Sequence, residues 1–428
     1  MDFAISEEHR QLRERCRQLA ADFATRSSAH DRDASHPTEN YDRLRKEGFL
    51  ELSIPKAFGG AGVGFLGHTL AYEALGQGCP STALSFNMHS SVVMPLLDSP
   101  EVAPKAKRHV ADLVVSGRHL IAGNYSEATS TALLGERWLD TVIRRVEGGW
   151  QITGRKMFAS MLEAADYCLV LARPETATVP AAGAFVLIPR NAPGRSVIAN
   201  WDVLGMRATR SDSLVLDNCR LAENAVVYQS DDIRTFRRTT SSWAWGSYTA
   251  VYLGVAGAAF SELVRVVRAR QVPGYAQPLA YHPDVRRQIA RLSAELEAAR
   301  LVTYRSAWLY DTEGPTAETT AALFRAKYIV GEAVAHIARV ALTISGSHGI
   351  FKGERIEQLY RDGALGPLHA PPSDFCLWSR GSGNESLSFY QLIQKFMRLL
   401  RSANLLCGTL ADRRQHGLLS VRATSAFT

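Results

Sequence analysis

Residues 120–126 read LIAGNYS, 141–146 TVIRRV, 150–153 WQIT, 167–172 YCLVLA, 184–189 AFVLIP and 213–217 SLVLD. These runs are rich in β-branched and aromatic residues and are punctuated by Gly, Pro and Asn, as strands joined by turns are. RRVEGGWQIT (144–153) predicts a hairpin turning at Gly148-Gly149. Six such segments between about 119 and 230 predict a small antiparallel β barrel or sandwich. On either side the period changes to that of helices. Before it, Ser6 is placed to cap a helix whose first turn holds Glu7 and Glu8. Leu12, Cys16, Leu19 and Phe23 follow at gaps of four, three and four, which put them on one face. Further helices are expected over Tyr41–Glu47, stopping at Gly48, over Thr69–Leu75, and over Lys105–Val115. After it, Val285, Ile289, Leu292, Leu296 and Ala299 form one long stripe. Val330, Val334, Ile337, Ala341 and Ile344 form another, and a third helix is expected from Ser386 to about Leu406. Stripes of this length suit an antiparallel bundle. The expected organisation is α+β and mostly α: an N-terminal helical domain (1–118), a middle β domain (119–233) and a C-terminal four-helix bundle (234–428), with a loose tail.

Composition narrows the function classes. The 428 residues are 46% apolar and 21% charged, enough for a large core without disulfides or metals. Cys16, Cys79, Cys168, Cys219, Cys376 and Cys407 are scattered, with no C-x-x-C pair, so reduced core thiols in a cytoplasmic protein are expected and no metal site. The amphipathic, charged beginning does not read as a signal peptide, and no apolar run of about 18 residues suggests a membrane span. The net charge of +7 favours an anionic ligand such as a nucleotide, CoA or an acidic carrier protein. The basic residues are too dispersed for nucleic acid. No G-x-G-x-x-G follows a strand, and there is no P-loop, G-x-S-x-G or H-E-x-x-H.

The helix–β–helix order, together with six local patterns, resembles the acyl-CoA dehydrogenase superfamily. ISEEHRQLRERCRQLA (5–20) is similar to its opening helix, and LRKEGFLELSIPKAFGGAG (44–62) to its glycine-rich loop. GNYSEATS (123–130) stands where the family has its first flavin-facing loop. ITGRKMFASMLEAADYCLVLAR (152–173), DVLGMRATRSDSLVLDNCRL (202–221) and SGSHGIFKGERIEQLYRDG (345–363) follow in the family's order. The resemblance implies FAD held between subunits of a homotetramer or homodimer. It implies Tyr125 and Ser126 on the N1/O2 side of the isoalloxazine, where donors stabilise developing negative charge. It also implies Phe158 packed on the ring and Ser160 near N5. Read without the family, Phe158 is a strand aromatic of the core and the serines are surface hydroxyls. Arg270 stands near the family's pyrophosphate arginine, although the surrounding RARQVPGYA (268–276) departs from the usual R-x-x-F-G. A solvated arginine at a helix end is the other reading. Gly346 and Gly349 would line the adenosine turn, or act as a helix C-cap. Arg207 and the Arg361–Asp362 pair, the latter at a turn, read as structural.

One departure bears on the reaction. The family's dehydrogenation pairs a carboxylate that removes the α-proton of an acyl thioester with flavin N5 as hydride acceptor. The carboxylate usually stands eight residues after the Arg-Asp pair, here Ala370, or on the first bundle helix, here Ala244. Three explanations stand open. His369, Asp374 or Glu127 replaces the base. The chain runs other flavin chemistry, such as a monooxygenase reaction. Or it is a base-less subunit of a hetero-oligomer. The first expectation is α,β-dehydrogenation of an acyl thioester on CoA or acyl carrier protein, with electron-transferring flavoprotein or oxygen as acceptor.

Overall fold

The computed structural model describes residues 5–128 and 138–381 of the chain. The expected Ser386–Leu406 helix, the tail and Cys407 lie outside the described residues. Helix α1 (Glu7–Asp33) begins where the sequence places its cap: the Ser6 hydroxyl accepts from His9 N at 3.2 Å, and Leu12, Cys16, Leu19 and Phe23 are buried. Helices α2 (Thr38–Lys46), α3 (Gly64–Gly78) and α5 (Pro104–Val115) match expected segments. Helix α4 (Pro80–Asp98) was not legible. Almost all of it is buried, so it has no polar face and no period, and Pro95 sits inside it.

The middle of the chain is one sheet of eight strands among the described residues: β1 (Ile121–Asn124), β2 (Val142–Val146), β3 (Gly149–Ala159), β4 (Tyr167–Pro174), β5 (Gly183–Pro189), β6 (Arg195–Ile198), β7 (Asp212–Leu221) and β8 (Val226–Ser230). Its order is β6-β7-β3-β2-β4-β5-β8, with β1 beside β4. The sheet is mixed where an antiparallel one was expected: β1 and β2 both pair parallel to β4. Pairings of strands distant in sequence leave no mark in the runs themselves. The β2–β3 hairpin pairs Val146 with Gly149, so Glu147-Gly148 makes the turn, one residue before the expected position. Gly148 supplies the positive φ of +75° that a tight turn needs.

Helices α6 (Arg234–Ala269), α7 (Pro283–Glu313), α8 (Ala317–Ser345), α9 (Arg355–Ala364) and α10 (Ser373–Gly381) follow. Helix α6 packs against α3, α4, α7, α8 and α9. Residues 239–257 of α6 are all buried, and α6 and α8 both contain 18-residue windows long and apolar enough to cross a membrane by length and composition. Much of each window is covered by neighbouring helices. The Arg361–Asp362 pair lies within α9 rather than at a turn. Arg361 donates to Glu357 at 2.6 and 2.8 Å and to Asp31 at 3.1 and 2.5 Å, and Asp362 accepts from Met206 N at 2.6 Å. This network ties α9 to α1 and to the LGMR loop. Arg207 serves the same joint, donating to the Asp31 carbonyl at 3.0 Å.

Candidate active site

A cavity of about 390 Å³ opens where four parts of the chain meet: α4, the loop after β1, the end of β3 with the 201–211 loop, and α6 with the 365–370 segment. Tyr125, Ser126, Phe158, Ser160, His369 and both alanines at the usual base positions, Ala244 and Ala370, line it. Residues up to 286 positions apart in sequence, Leu84 and Ala370, thus line one cavity.

The loop that carries Tyr125 and Ser126 is pinned from below. Lys156, fully buried on β3, donates to Glu127 Oε1 at 2.5 Å and to the Tyr125 carbonyl at 3.4 Å. Met157 N donates to the Ser126 carbonyl at 2.9 Å. Glu127 also accepts from the amides of Asp140 and Thr141 at 2.7 and 3.0 Å. Burial works to raise its pKa, but the Lys156 charge and these donors outweigh it and hold the carboxyl below its ordinary range. Glu127 does not line the cavity, and its oxygens are committed to this pairing. It is therefore withdrawn as a candidate base.

Phe158 stands with φ +53°, a left-handed backbone that costs a non-glycine residue about 1–2 kcal/mol. It leaves the ring 57% exposed at the cavity, edge-on to Trp201 at 6.0 Å. Ser160 meets Ser211 at 2.7 Å, Ser211 meets Thr209 at 2.8 Å, and Thr209 donates to the Met206 carbonyl at 2.9 Å. If each hydroxyl passes its one proton along this chain, the lone pairs of Ser160 face the cavity. Asn124 Oδ1 and Tyr125 Oη are buried with no partner among the described residues. An exposed apolar ring, a row of hydroxyls and unpaired buried polar atoms are what a planar, polar-edged ligand would complete.

His369 is half-buried, its ring stacked on Tyr248 at 4.3 Å between centroids, and its Nδ1 lies 3.2 Å from Tyr252 Oη. Burial, with the Lys327 charge behind it, pushes its pKa down to about 3. The imidazole is neutral at pH 7 and a weak base. Asp374 is exposed in the first turn of α10 and does not line the cavity. No carboxylate lines the cavity among the described residues.

Arg270 and Gly346 also come together, away from the cavity lining. Arg270 Nη1 donates to the carbonyls of Ile344 and Ser345 at 3.2 and 2.7 Å, closing the C-terminus of α8. Gly346 has φ +68°, and a Cβ there would lie 2.7 Å from that guanidinium. Gly349 is buried against Ile356, Leu342 and Ser345. This corner is a built C-cap. Sequence reasoning did not find Trp201, Trp245, Thr209, Ser211, Tyr252 or Lys327. Lys327 did carry a signal: it stands on the apolar stripe of α8 between Leu323 and Val330, where a lysine is out of place.

The fold and this cavity define a helix–sheet–helix enzyme of the flavoprotein type. The chain matches the family description "Acyl-CoA dehydrogenase, N-terminal domain" over residues 6–107, "middle domain" over 128–219 and "C-terminal domain" over 244–366. It is 30% identical over 373 residues to the putative acyl-CoA dehydrogenase YdbM of Bacillus subtilis, covering 87% of this chain and 96% of that protein. The chain belongs to the acyl-CoA dehydrogenase family. It is also 28% identical over 364 residues to the amino sugar nitrososynthase DnmZ of Streptomyces peucetius, covering 81% of this chain and 85% of that one. Among solved structures, FMN-bound TdsC from Paenibacillus sp. A11-2 superposes with a TM-score of 0.79 at 21% identity, covering 87% of this chain and 96% of that one.

Proposed function

We propose that the protein is an FAD-dependent oxidoreductase that oxygenates an organic substrate instead of desaturating an acyl thioester. One observation carries the choice: the cavity wall, among the described residues, holds no carboxylate, and both usual base positions are alanine. Removing a positioned base costs about 10²–10⁴-fold in rate. A neutral His369 with a pKa near 3 does not replace it. Bound FAD would supply two-electron chemistry and, once reduced, reactivity with oxygen. In this reading Tyr125 and Ser126 hold the polar edge of the ring, Phe158 and Trp201 cover it, and Ser160 and His369 offer polar atoms at its reactive side. Arg270 and the Gly346 turn would face the rest of the cofactor in a homo-oligomer, as the family pattern suggests.

The second reading is acyl-CoA dehydrogenation, which the similarity to YdbM favours; in that reading the acceptor is an electron-transferring flavoprotein or oxygen. An anaerobic spectrum of the FAD-loaded protein separates the two. Under the oxygenase reading butyryl-CoA leaves the yellow absorbance unchanged, and the protein, once reduced by NAD(P)H and a reductase, is reoxidised rapidly by air. Prompt bleaching by acyl-CoA overturns that reading. As a gain-of-function control, Ala370→Glu places a carboxylate in the wall and is expected to raise butyryl-CoA bleaching well above wild type.

A further inference from the structure

A phenol and an imidazole of the cavity wall lie next to a buried ammonium. Tyr252 is buried on α6, and among the described residues its Oη has one hydrogen-bond partner, His369 Nδ1 at 3.2 Å. Lys327, buried on α8, lies with Nζ 5.9 Å from the Tyr252 ring centroid and donates to the Gly366 carbonyl at 2.8 Å. His369 Nε2 has no hydrogen-bond partner among the described residues, while the ring itself lines the cavity.

We propose that Tyr252 and Lys327 are positioning residues that hold His369 as its Nε2–H tautomer, so that the cavity presents an uncharged hydrogen-bond donor to an uncharged ligand group that accepts one.

A phenol has one proton, and among the described residues the one hydrogen-bond partner of this phenol is Nδ1. If Nδ1 carried the imidazole proton instead, the phenol proton would find no acceptor among the described residues, at about 1–3 kcal/mol. Tyr252 therefore donates, Nδ1 accepts, and the imidazole proton sits on Nε2. The Lys327 ammonium opposes a second proton on the ring. It faces the Gly366 carbonyl, the Tyr252 ring and the Cys376 thiol, with Glu332 further along its own helix, and forms no salt bridge among the described residues. Gly366 is three residues before His369, so the bond from Lys327 also fixes the segment that carries the imidazole. The ligand class follows from the rest of the wall. No Asp, Glu, Lys or Arg lines the cavity among the described residues, so a cation meets no counter-charge and an anion meets only neutral donors. A carbonyl or ether oxygen on an aromatic body satisfies Nε2–H, and Tyr248 and Trp245 lie beside it.

This inference stands on the described side chains and does not depend on the oxygenase reading. It is tested on full-length protein carrying 15N-labelled histidine, by long-range 1H–15N correlation, with His369→Asn identifying the signal. The expected result is a neutral Nε2–H pattern at pH 7 that persists under mild acid. A Nδ1–H pattern or an imidazolium at pH 7 overturns the proposal, and this wild-type measurement decides even if no variant folds. Tyr252→Phe is expected to give mixed tautomers and Lys327→Met a histidine that titrates at higher pH. An unchanged tautomer in folded Tyr252→Phe overturns the role of Tyr252, and an unchanged titration in folded Lys327→Met overturns that of Lys327. For the ligand class, acetophenone, benzylamine and benzoate are titrated against the same signal. Acetophenone is expected to bind roughly tenfold more tightly than either ion, a difference on the scale of one hydrogen bond. Tighter binding of benzylamine or benzoate overturns the ligand class.

Discussion

Among the described residues two lysines are buried, and their surroundings differ. Lys156 in the sheet has a carboxylate at 2.5 Å, itself held by two backbone amides. Lys327 in the bundle has a carbonyl and an aromatic face, and no carboxylate in salt-bridge reach among the described residues. Burial pushes both pKa values down to about 8. The first charge is neutralised, and its pair does structural work by fixing the Tyr125–Ser126 loop. The second has no counter-ion among the described residues and lies behind His369 of the cavity wall, where its field acts on another group. A buried charge with a complete partner set stiffens a fold, whereas one without a counter-ion biases its neighbours.

The largest effect is expected from breaking the complete pair. Glu127→Gln leaves Lys156 buried and unpaired, a loss of about 3–5 kcal/mol, read as a large fall in Tm or as insoluble protein. The double variant Glu127→Leu with Lys156→Met is expected to recover most of it. A Tm for Glu127→Gln equal to wild type would erase the contrast between the two lysines. Lys327→Met is expected to cost less, about 1–3 kcal/mol, because only one neutral acceptor loses its donor. Chemical denaturation measures both on one scale.

Acid provides a third comparison. His36, His68 and His89 are pushed down to about 4, 3 and 4 by burial, as His369 is to about 3. Between those values and the ordinary 6.5 the unfolded chain binds more protons, so each contributes stability present above pH 6.5 and lost as pH falls. Asp98 and Asp362 are raised by burial to about 6 and 7, and act in the opposite sense. Asp311 is raised by burial as well, so four imidazoles act against three carboxylates and predict a lower Tm at about pH 5 than at about pH 7. A flat profile would mean that these imidazoles protonate without cost. The smallest effect is expected from Ser211→Ala, which interrupts the hydroxyl chain from Ser160 to Met206 for about 0.5–1.5 kcal/mol, measurable by thermal melts.

The helix caps and stripes were readable because they depend on neighbours within four residues. Ser6, the Leu12–Phe23 face and the Val330–Ala341 stripe lie where their spacing puts them. Helix α4 was missed because complete burial removes the polar face that reveals a period, and the parallel strand pairs because pairing partners are remote. At the site, the loop and strand motifs directed attention to Tyr125, Ser126, Phe158 and Ser160, all of which line the cavity. Glu127, Asp374 and Arg270 shared those motifs or their neighbourhoods, yet their side chains turn elsewhere.

By itself the sequence determined the order of helix, sheet and helix, and the alanines where a carboxylate is usual, since both are properties of residue types along a line. Tertiary structure alone decided what surrounds those alanines. The tautomer of an imidazole, the pairing of one buried lysine and the isolation of another depend on atoms a few ångströms away that are contributed by segments far apart in the chain.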